Sequence, residues 1–243
     1  MTDQAPVPPP PQPYFDDLAD LYERFTRIRD GATSPVRTWL VGQLPKGERA
    51  LDIGCGGGNN CVLLAERYDE VVGVDISRRM LDIAAAKPTR VPVRYQHRSA
   101  LDLTPAADGT FDLVMSVNAV FHLGPAPRVL PRLRDLVAPG GRLVVIDVTR
   151  PDATGPDPGT APPGDRDTYA FDTARTIYEV SGDAAAAADS LRMMLHPRWL
   201  EMSAAHMPLT YGEFVRTYRE QLPGVRITRD LIPTMSAAVW DAP

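Results

Sequence analysis

Leu51-Asp-Ile-Gly-Cys-Gly-Gly-Gly-Asn-Asn60 is the stretch of sequence that decides the fold. It starts in an apolar run, places four glycines within five residues, and is followed by apolar residues at helical spacing. Glycine is favoured where the backbone takes a positive φ or where a ligand approaches it closely. A helix that starts just beyond offers free N–H groups and the positive end of its dipole. The stretch therefore predicts a strand, a tight ligand-binding turn and a helix.

A second apolar strand, Val71–Val74, follows the turn and ends in Asp75. In α/β units, an acidic side chain at this point accepts hydrogen bonds from the hydroxyl groups of a ribose. Asp75 is therefore predicted to bind the ribose of a nucleoside ligand. A glycine turn without any ligand is the alternative, and the acidic residues on both sides of the turn argue against it.

The spacing of the glycines separates two classes of cofactor. A dinucleotide fingerprint, G-x-G-x-x-G, would need glycine where the chain has Asn59. The chain instead has Gly54, Gly56 and Gly58, with Asp52 before them. Because a carboxylate repels a pyrophosphate but binds an ammonium group, a ligand with an amino-acid part and a ribose fits better than a dinucleotide.

Length and charge exclude several classes of partner. A chain of 243 residues suits one large α/β domain. The net charge of −5, without a long basic run, argues against nucleic acid as a partner. No apolar run approaches the roughly 20 residues of a transmembrane helix. Residues 1–13 are rich in proline, which predicts a disordered tail and no signal peptide. With Cys55 and Cys61 predicted to be reduced thiols, we expect a cytoplasmic protein.

Four segments of the chain resemble one protein family. The stretch from residue 51 resembles motif I of the class I S-adenosylmethionine-dependent methyltransferases, whose usual form is close to (V/L)-(L/D)-(D/E)-(I/L/V)-G-C-G-x-G. Phe111–Leu123 resembles the family's FDxV segment, and Val137–Asp147 resembles its PGGRLV turn and strand. Residues 14–25 resemble the helix that closes over the cofactor in many small-molecule methyltransferases. The matches follow the family's order and cover about residues 14–150.

The resemblance implies a complete architecture. It implies an α/β fold with a doubly wound, seven-stranded, mostly parallel sheet in the Rossmann-like order 3-2-1-4-5-7-6, the last strand being antiparallel. The methyltransferase domain would span residues 14–243. A helical cap insertion for the substrate would lie at about 151–208.

The resemblance also implies S-adenosylmethionine as the cofactor and S-adenosylhomocysteine as its product. At one position the sequence departs from the family, because Ser99 stands where the family usually has the aspartate that accepts from adenine. Either Ser99 or Asp102 takes that role. The implied cofactor-binding residues are Tyr22, Asp52, Gly54, Cys55, Gly56, Gly58, Asp75, Ile76, Ser99, Ala100 and Asn118.

The expected reaction is an in-line displacement on the methyl group by an oxygen, nitrogen or carbon nucleophile of a small molecule, for example a secondary metabolite. Because the methyl group is already activated, the protein mainly aligns the reactants and excludes water. A hydroxyl acceptor also benefits from a base, and His122, beyond the fourth strand, is the candidate catalytic residue. A structural role at a helix start is the alternative. Trp199 and His206 are predicted to contact the substrate. No histidine spacing matches a metal site.

Two other functions stay open from the sequence. The fold can support a reaction other than methylation, or the chain can be a cofactor-binding subunit without activity. The identity of the acceptor and the choice between a monomer and a dimer also stay open.

The remaining sequence predicts four features of local structure. Residues 150–167 are predicted to be a long loop, because proline and glycine recur there. One helix is predicted from Thr168 to Met202, and another from Pro127 to Ala138. Val225–Leu231 and Met235–Trp240 are predicted to form a final antiparallel hairpin.

Overall fold

The sheet has seven strands in the order β3-β2-β1-β4-β5-β7-β6. The structure is a computed structural model, and it describes residues 14–29, 34–150, 152, 163–232 and 234–243. All strand pairs are parallel except those of β7, which runs antiparallel to both β5 and β6. The predicted order and direction are confirmed. The strands are β1 Arg49–Ile53, β2 Glu70–Asp75, β3 Val93–His97, β4 Phe111–Val117, β5 Val137–Val148, β6 Arg226–Ile232 and β7 Met235–Asp241.

Helices cover both faces of the sheet, and the central strands are apolar for that reason. Strands β1, β2 and β4 are buried almost throughout, as expected for parallel strands covered on both sides. Side chains of α2, α3 and α4 complete one core, and those of α7 and α11 complete the other. The helices are α1 Phe15–Arg29, α2 Pro35–Gln43, α3 Asn59–Ala65, α4 Arg78–Ala85, α5 Pro105–Asp108, α6 Val120–Leu123, α7 Ala126–Asp135, α8 Pro163–Ser181, α9 Ala184–Met194, α10 Pro197–Ala205 and α11 Tyr211–Gln221.

The prediction of one helix from Thr168 to Met202 is wrong, because three helices occupy this region. Gly182 separates α8 from α9 with a φ of 68°, a conformation that glycine adopts without strain. The side chain of Asp183 then caps α9, and that of His196 caps α10. The predicted loop also ends earlier than expected, since α8 already begins at Pro163.

The prediction of a helix from Pro127 to Ala138 also needs correction. The helix α7 ends at Asp135, and Ala138 belongs to β5. A separate short helix, α6, comes before it. The predicted final hairpin is confirmed by the antiparallel pairing of β6 with β7. The proline-rich tail, residues 1–13, and most of the predicted loop lie outside the described residues.

Of the inserted helices, α9 and α10 pack on the N-terminal helix α1, and α8 packs on α9. Buried Met193 and Met194 of α9 contact Leu21 and Phe25 of α1. An ion pair joins Arg24 to Asp189 across the same contact, with 2.5 Å between nitrogen and oxygen. The insertion and α1 therefore form one helical layer beside the sheet.

Candidate functional site

The glycine turn follows β1 and lies at the carboxyl edge of the sheet. Gly54, Gly56 and Gly58 have φ values of 65°, 51° and 77°, which side-chain-bearing residues rarely adopt. A Cβ atom on Gly54 would lie 2.4 Å from the Cβ of Ala119, which follows β4. The turn thus packs directly against the chain that leaves β4, and a side chain at Gly54 is sterically excluded.

Asp75 faces the glycine turn from the end of β2. Its Oδ2 accepts from the Gly56 N–H at 2.9 Å, and its Oδ1 accepts from the Ser77 N–H at 2.8 Å. Burial raises the pKa of Asp75, and the backbone hydrogen bonds from Ser77, Gly56 and Ile76 oppose this shift. Each oxygen keeps a further lone pair, so the carboxylate can accept from two hydroxyl groups of a ligand.

Asp52 and the two cysteines lie behind the glycine turn. Asp52 is buried, and its Oδ2 accepts a hydrogen bond from the thiol of Cys61 at 3.4 Å. Cys55 and Cys61 are both free and buried, as the prediction of reduced thiols expected. The hydrogen bond with Cys55, followed by burial, raises the pKa of Cys61 well above its usual range. The thiols therefore stay protonated and unreactive.

Helix α1 packs against the glycine turn and the residues that follow β2. The Oδ1 of Asp16 accepts from the hydroxyl of Ser77 at 2.6 Å. Glu23, which is buried, forms an ion pair with Lys87 at 2.6 Å. Its other oxygen, Oε2, lies where a Cβ atom of Gly57 would stand. The helix therefore contacts both the turn and the end of β2.

Ser99 follows β3 and caps a short 3₁₀ turn, Ala100–Asp102. Its hydroxyl oxygen accepts from the Leu101 N–H at 3.2 Å. Ala100 is buried, whereas Asp102 is exposed. Both Ser99 and Asp102 stay candidates for the contact with adenine.

Asn118 marks the carboxyl edge of β4 with a strained backbone. Its φ is 60°, which is uncommon for a residue other than glycine. Its N–H donates to the carbonyl of Ile146 at 2.6 Å. Its Oδ1 is buried and has no hydrogen-bond partner among the described residues. Strain and an unsatisfied polar atom at the same residue are typical of a ligand-binding position.

His122 and His206, two residues selected from the sequence, meet at this edge. Their Nδ1 atoms lie 2.9 Å apart, so one ring donates a hydrogen bond to the other. Burial, and then the neighbouring His206, lower the pKa of His122 to about 3. Burial also lowers the pKa of His206. Both rings are therefore neutral at physiological pH. Within the described residues, no group of three or more histidine, cysteine, aspartate or glutamate side chains is placed to hold a metal ion.

Aromatic rings surround the histidine pair on the side of α1. Tyr14 meets His206 edge-on with 5.7 Å between ring centres, and Phe15 meets His122 edge-on at 5.8 Å. Tyr22 lies 6.4 Å from Trp199 in a stacked orientation. The structure thus brings four predicted residues to one place. Tyr14 and Phe15 were not among the predicted site residues, although two adjacent aromatic residues at the start of a helix could have indicated them.

The buried histidine predicts how stability depends on pH. Above pH 6.5, His122 is neutral in both the folded and the unfolded chain. Below that pH the unfolded chain binds a proton that the folded chain binds only near pH 3, so stability falls as the pH falls. From pH 6.5 to 5 the loss is about 1.6 kcal/mol, because the unfolded histidine is half protonated at pH 6.5 and almost fully protonated at pH 5. Urea unfolding across this range should show a smaller loss for His122→Asn than for the wild type.

The control for this comparison is His97→Asn, because His97 is an exposed histidine away from the pair. It should keep the loss of stability seen in the wild type. Equal pH dependence in the wild type and His122→Asn would contradict the buried, neutral state of His122.

Comparison with known proteins agrees with this geometry. Residues 51–145 match the family model described as "Methyltransferase domain". A demethylmenaquinone methyltransferase of Symbiobacterium thermophilum is 30% identical over 162 residues, 61% of this chain and 64% of that protein. A ubiquinone biosynthesis O-methyltransferase of Mesorhizobium japonicum is 36% identical over 107 residues, 43% of each chain. In both alignments the chain spans less than two thirds of the relative's length.

The fold also matches solved structures. The DhpI–SAH complex superposes with a TM-score of 0.62 at 17% identity, covering 95% of this chain and 94% of that one. The sheet order, the glycine turn and the matched domain together define the class. Residues 51–145 match a methyltransferase domain, and the sheet has the strand order that the motifs predicted for class I S-adenosylmethionine-dependent methyltransferases. No helix in the described ranges is both long and apolar enough to cross a membrane.

The described residues fit the cofactor of this class. Asp75 offers two acceptor oxygens beside the glycine turn, as a ribose requires. The unpartnered Oδ1 of Asn118 lies at the same carboxyl edge, where ligands of doubly wound sheets bind. The carboxylates of Asp52 and Asp75 give this region negative charge, which suits a ligand with ammonium and sulfonium groups.

Replacing Asp75 tests the assignment of the ribose site. Asp75→Ala should weaken binding of S-adenosylhomocysteine by about 1.5–3 kcal/mol, because hydrogen bonds to a charged acceptor are lost. Isothermal titration calorimetry measures this change. Asp69→Ala, which removes an exposed carboxylate next to β2, should leave the affinity as in the wild type. Unchanged affinity in Asp75→Ala would remove the ribose assignment.

Proposed function

We propose that this protein transfers the methyl group of S-adenosylmethionine to a small-molecule acceptor. One observation carries the proposal: a neutral histidine pair and an aromatic cluster meet at the carboxyl edge, next to the glycine turn. The bound cofactor supplies an electrophilic methyl group on a sulfonium. That the acceptor is a secondary metabolite stays a prediction, and both a monomer and a dimer stay open.

The site divides into two parts under this proposal. The first part holds the cofactor and comes from residues before 125. The second part holds the acceptor between α1, the histidine pair and the inserted helices α8–α10. These helices belong to the cap insertion that we predict at about residues 151–208. Trp199 and His206 belong to the acceptor side. The proposed cofactor contacts are Tyr22, Asp52, Gly54, Cys55, Gly56, Gly58, Asp75, Ile76, Ser99, Ala100 and Asn118.

His122 is the proposed base for an acceptor hydroxyl. If its Nδ1–H donates to Nδ1 of His206, then its Nε2 is free to take a proton. When Nε2 takes that proton, the charged ring still donates through Nδ1 to His206. His206 thus acts as a positioning residue that fixes the tautomer of His122.

The low pKa of His122 fixes the protonation state in which the ring enters the reaction. A neutral ring is the form that can accept a proton, and burial keeps it neutral. The positive charge of the sulfonium disappears from the site as the methyl group leaves. The proton taken up by His122 replaces that charge, so the buried site gains no net charge during the reaction.

Two measurements separate this function from its rivals. Calorimetry should detect binding of S-adenosylmethionine and S-adenosylhomocysteine, and no binding of nicotinamide dinucleotides. Incubation with methyl-labelled cofactor and a panel of small phenols, alcohols and amines should give a labelled product. Cofactor binding with chemical change of the acceptor but no transfer of label supports a non-methylating enzyme. Cofactor binding without any chemical change of an acceptor supports a cofactor-binding subunit without activity.

The aromatic side of the acceptor site gives a separate prediction. Trp199→Ala should lower methyl transfer at least about tenfold, since the ring that stacks on Tyr22 is lost. Affinity for S-adenosylhomocysteine should stay within about tenfold, or ~1.4 kcal/mol. Trp199→Phe keeps a ring at this position and should retain most activity. Loss of cofactor binding in folded Trp199→Ala would contradict the division of the site into two parts.

A further inference from the structure

A cavity of about 290 Å³ opens beyond the end of β5. It lies between α6, the loop before α11, and α11 itself. Apolar side chains make most of its wall, and His206 stands in it on the side of the histidine pair. Through His206, it therefore adjoins the proposed acceptor site. The apolar wall includes Phe121, Val148, Leu209 and Phe214.

Two polar side chains in this wall do not have their hydrogen bonds satisfied. Asp147, at the end of β5, is 4% exposed, and Tyr218, on α11, is 1% exposed. By distance and angle, the buried Oδ1 atom of Asp147 and the buried hydroxyl of Tyr218 have no hydrogen-bond partner among the described residues, although the two side chains lie close enough to interact electrostatically. Burying such groups unpaired costs free energy, so a wall that keeps two of them is typical of a ligand site.

Burial favours the uncharged form of both groups. Burial raises the pKa of Asp147 well above its usual range, although the N–H groups of Val120 and Ala119 oppose the shift. Burial, followed by the nearby Asp147, raises the pKa of Tyr218. A protonated carboxyl and a phenol each donate one hydrogen bond and accept others. They match an uncharged oxygen, such as a hydroxyl or a carbonyl, better than an ion.

We propose that this cavity binds the acceptor, and that the acceptor is an uncharged, ring-bearing molecule whose second oxygen is held by Asp147 and Tyr218. Its nucleophilic group would then lie at the other end, beside His122 and His206. Apolar cavities of roughly 150 Å³ bind benzene, so a volume of about 290 Å³ has room for two fused rings. The inference rests on the proposed methyl transfer and names the class of its acceptor.

The test uses two probes that differ by one hydroxyl group, naphthalene and 2-naphthol. Calorimetry or fluorescence measures their binding to the full chain without cofactor. The wild type should bind 2-naphthol at least about tenfold more tightly than naphthalene, the size of one buried hydrogen bond. Tyr218→Phe should reduce this preference to less than about threefold, with naphthalene affinity unchanged. Equal binding of both probes to the wild type would overturn the proposal.

A matched control is Tyr68→Phe, because Tyr68 is also fully buried but belongs to the core on the other face. It should keep the preference for 2-naphthol. The two variants should also differ in melting temperature. Tyr68→Phe loses a hydrogen bond of 2.8 Å to the carbonyl of Pro45 and should melt earlier than the wild type. Tyr218→Phe loses only the weaker interaction of its hydroxyl with Asp147 and should melt closer to the wild type than Tyr68→Phe does.

Asp147 gives a second, independent pair of variants. Asp147→Asn keeps one donor and one acceptor and should retain the preference, whereas Asp147→Leu should abolish it. Loss of the preference in Asp147→Asn, with the fold intact by circular dichroism, would contradict recognition of an uncharged oxygen. If neither probe binds while labelled methyl reaches other acceptors, the cavity assignment fails and the proposed function stands. If the preference is seen but no methyl is transferred, only the proposed function fails.

Discussion

Replacing His122 with asparagine should lower kcat by about a hundredfold or more with a hydroxyl acceptor, the usual loss when a general base is removed. Asparagine keeps a polar side chain of similar size but cannot take up the proton. Affinity for S-adenosylhomocysteine should stay within about threefold, because the cofactor contacts lie on the other side of the site. Single-turnover measurements with labelled cofactor separate this loss from any change in binding.

The pH dependence sharpens this test. Since the pKa of His122 is about 3, the ring is neutral throughout the range in which enzymes are usually measured. The wild-type rate should therefore show no acidic limb near pH 6.5, where an exposed histidine would give one. His206→Asn should lower kcat less than His122→Asn, since it removes only the positioning hydrogen bond. Full activity of His122→Asn across pH would mean that the base lies elsewhere or that the acceptor needs none.

The local sequence carries enough information to predict the cofactor half of the fold. A glycine turn must follow β1, because three left-handed residues in five positions can hardly be anything but glycine. Asp75 lies at the end of β2, where the regular alternation of strand and helix places it. These features depend on neighbours within about 30 residues, which is the size of one βαβ unit. The full strand order came from the resemblance, since periodicity alone does not determine it.

The acceptor half depends on contacts between distant segments. His122 and His206 are 84 residues apart, and only the folding of the inserted helices brings their rings together. The helix breaks that were missed had local signals, since Gly182 precedes a capping aspartate and Pro197 follows a capping histidine. Asp147 and Tyr218 gave no such signal, because a strand-end aspartate and a helical tyrosine are ordinary in sequence.

Replacing Gly54 with alanine should destabilise the protein by about 2–5 kcal/mol. The left-handed backbone at Gly54 costs an alanine about 1–2 kcal/mol. The new Cβ would also lie 2.4 Å from the Cβ of Ala119, and relieving such an overlap costs about 1–3 kcal/mol more. Urea unfolding monitored by circular dichroism measures the sum. Cofactor affinity should fall as well, since the turn and the chain after β4 must move apart.

Two further variants separate the two causes. Gly140→Ala has a similar φ of 73° but nothing within 4 Å of the new Cβ, so it should show the backbone cost alone. The double variant Gly54→Ala/Ala119→Gly removes the methyl group that the new side chain meets. Although a glycine at position 119 has its own small cost, the double variant should be more stable than Gly54→Ala and less stable than the wild type. If Gly54→Ala proves no less stable than Gly140→Ala, the close packing of the glycine turn against Ala119 is wrong. If the double variant recovers nothing, the cost at this position lies in the backbone alone.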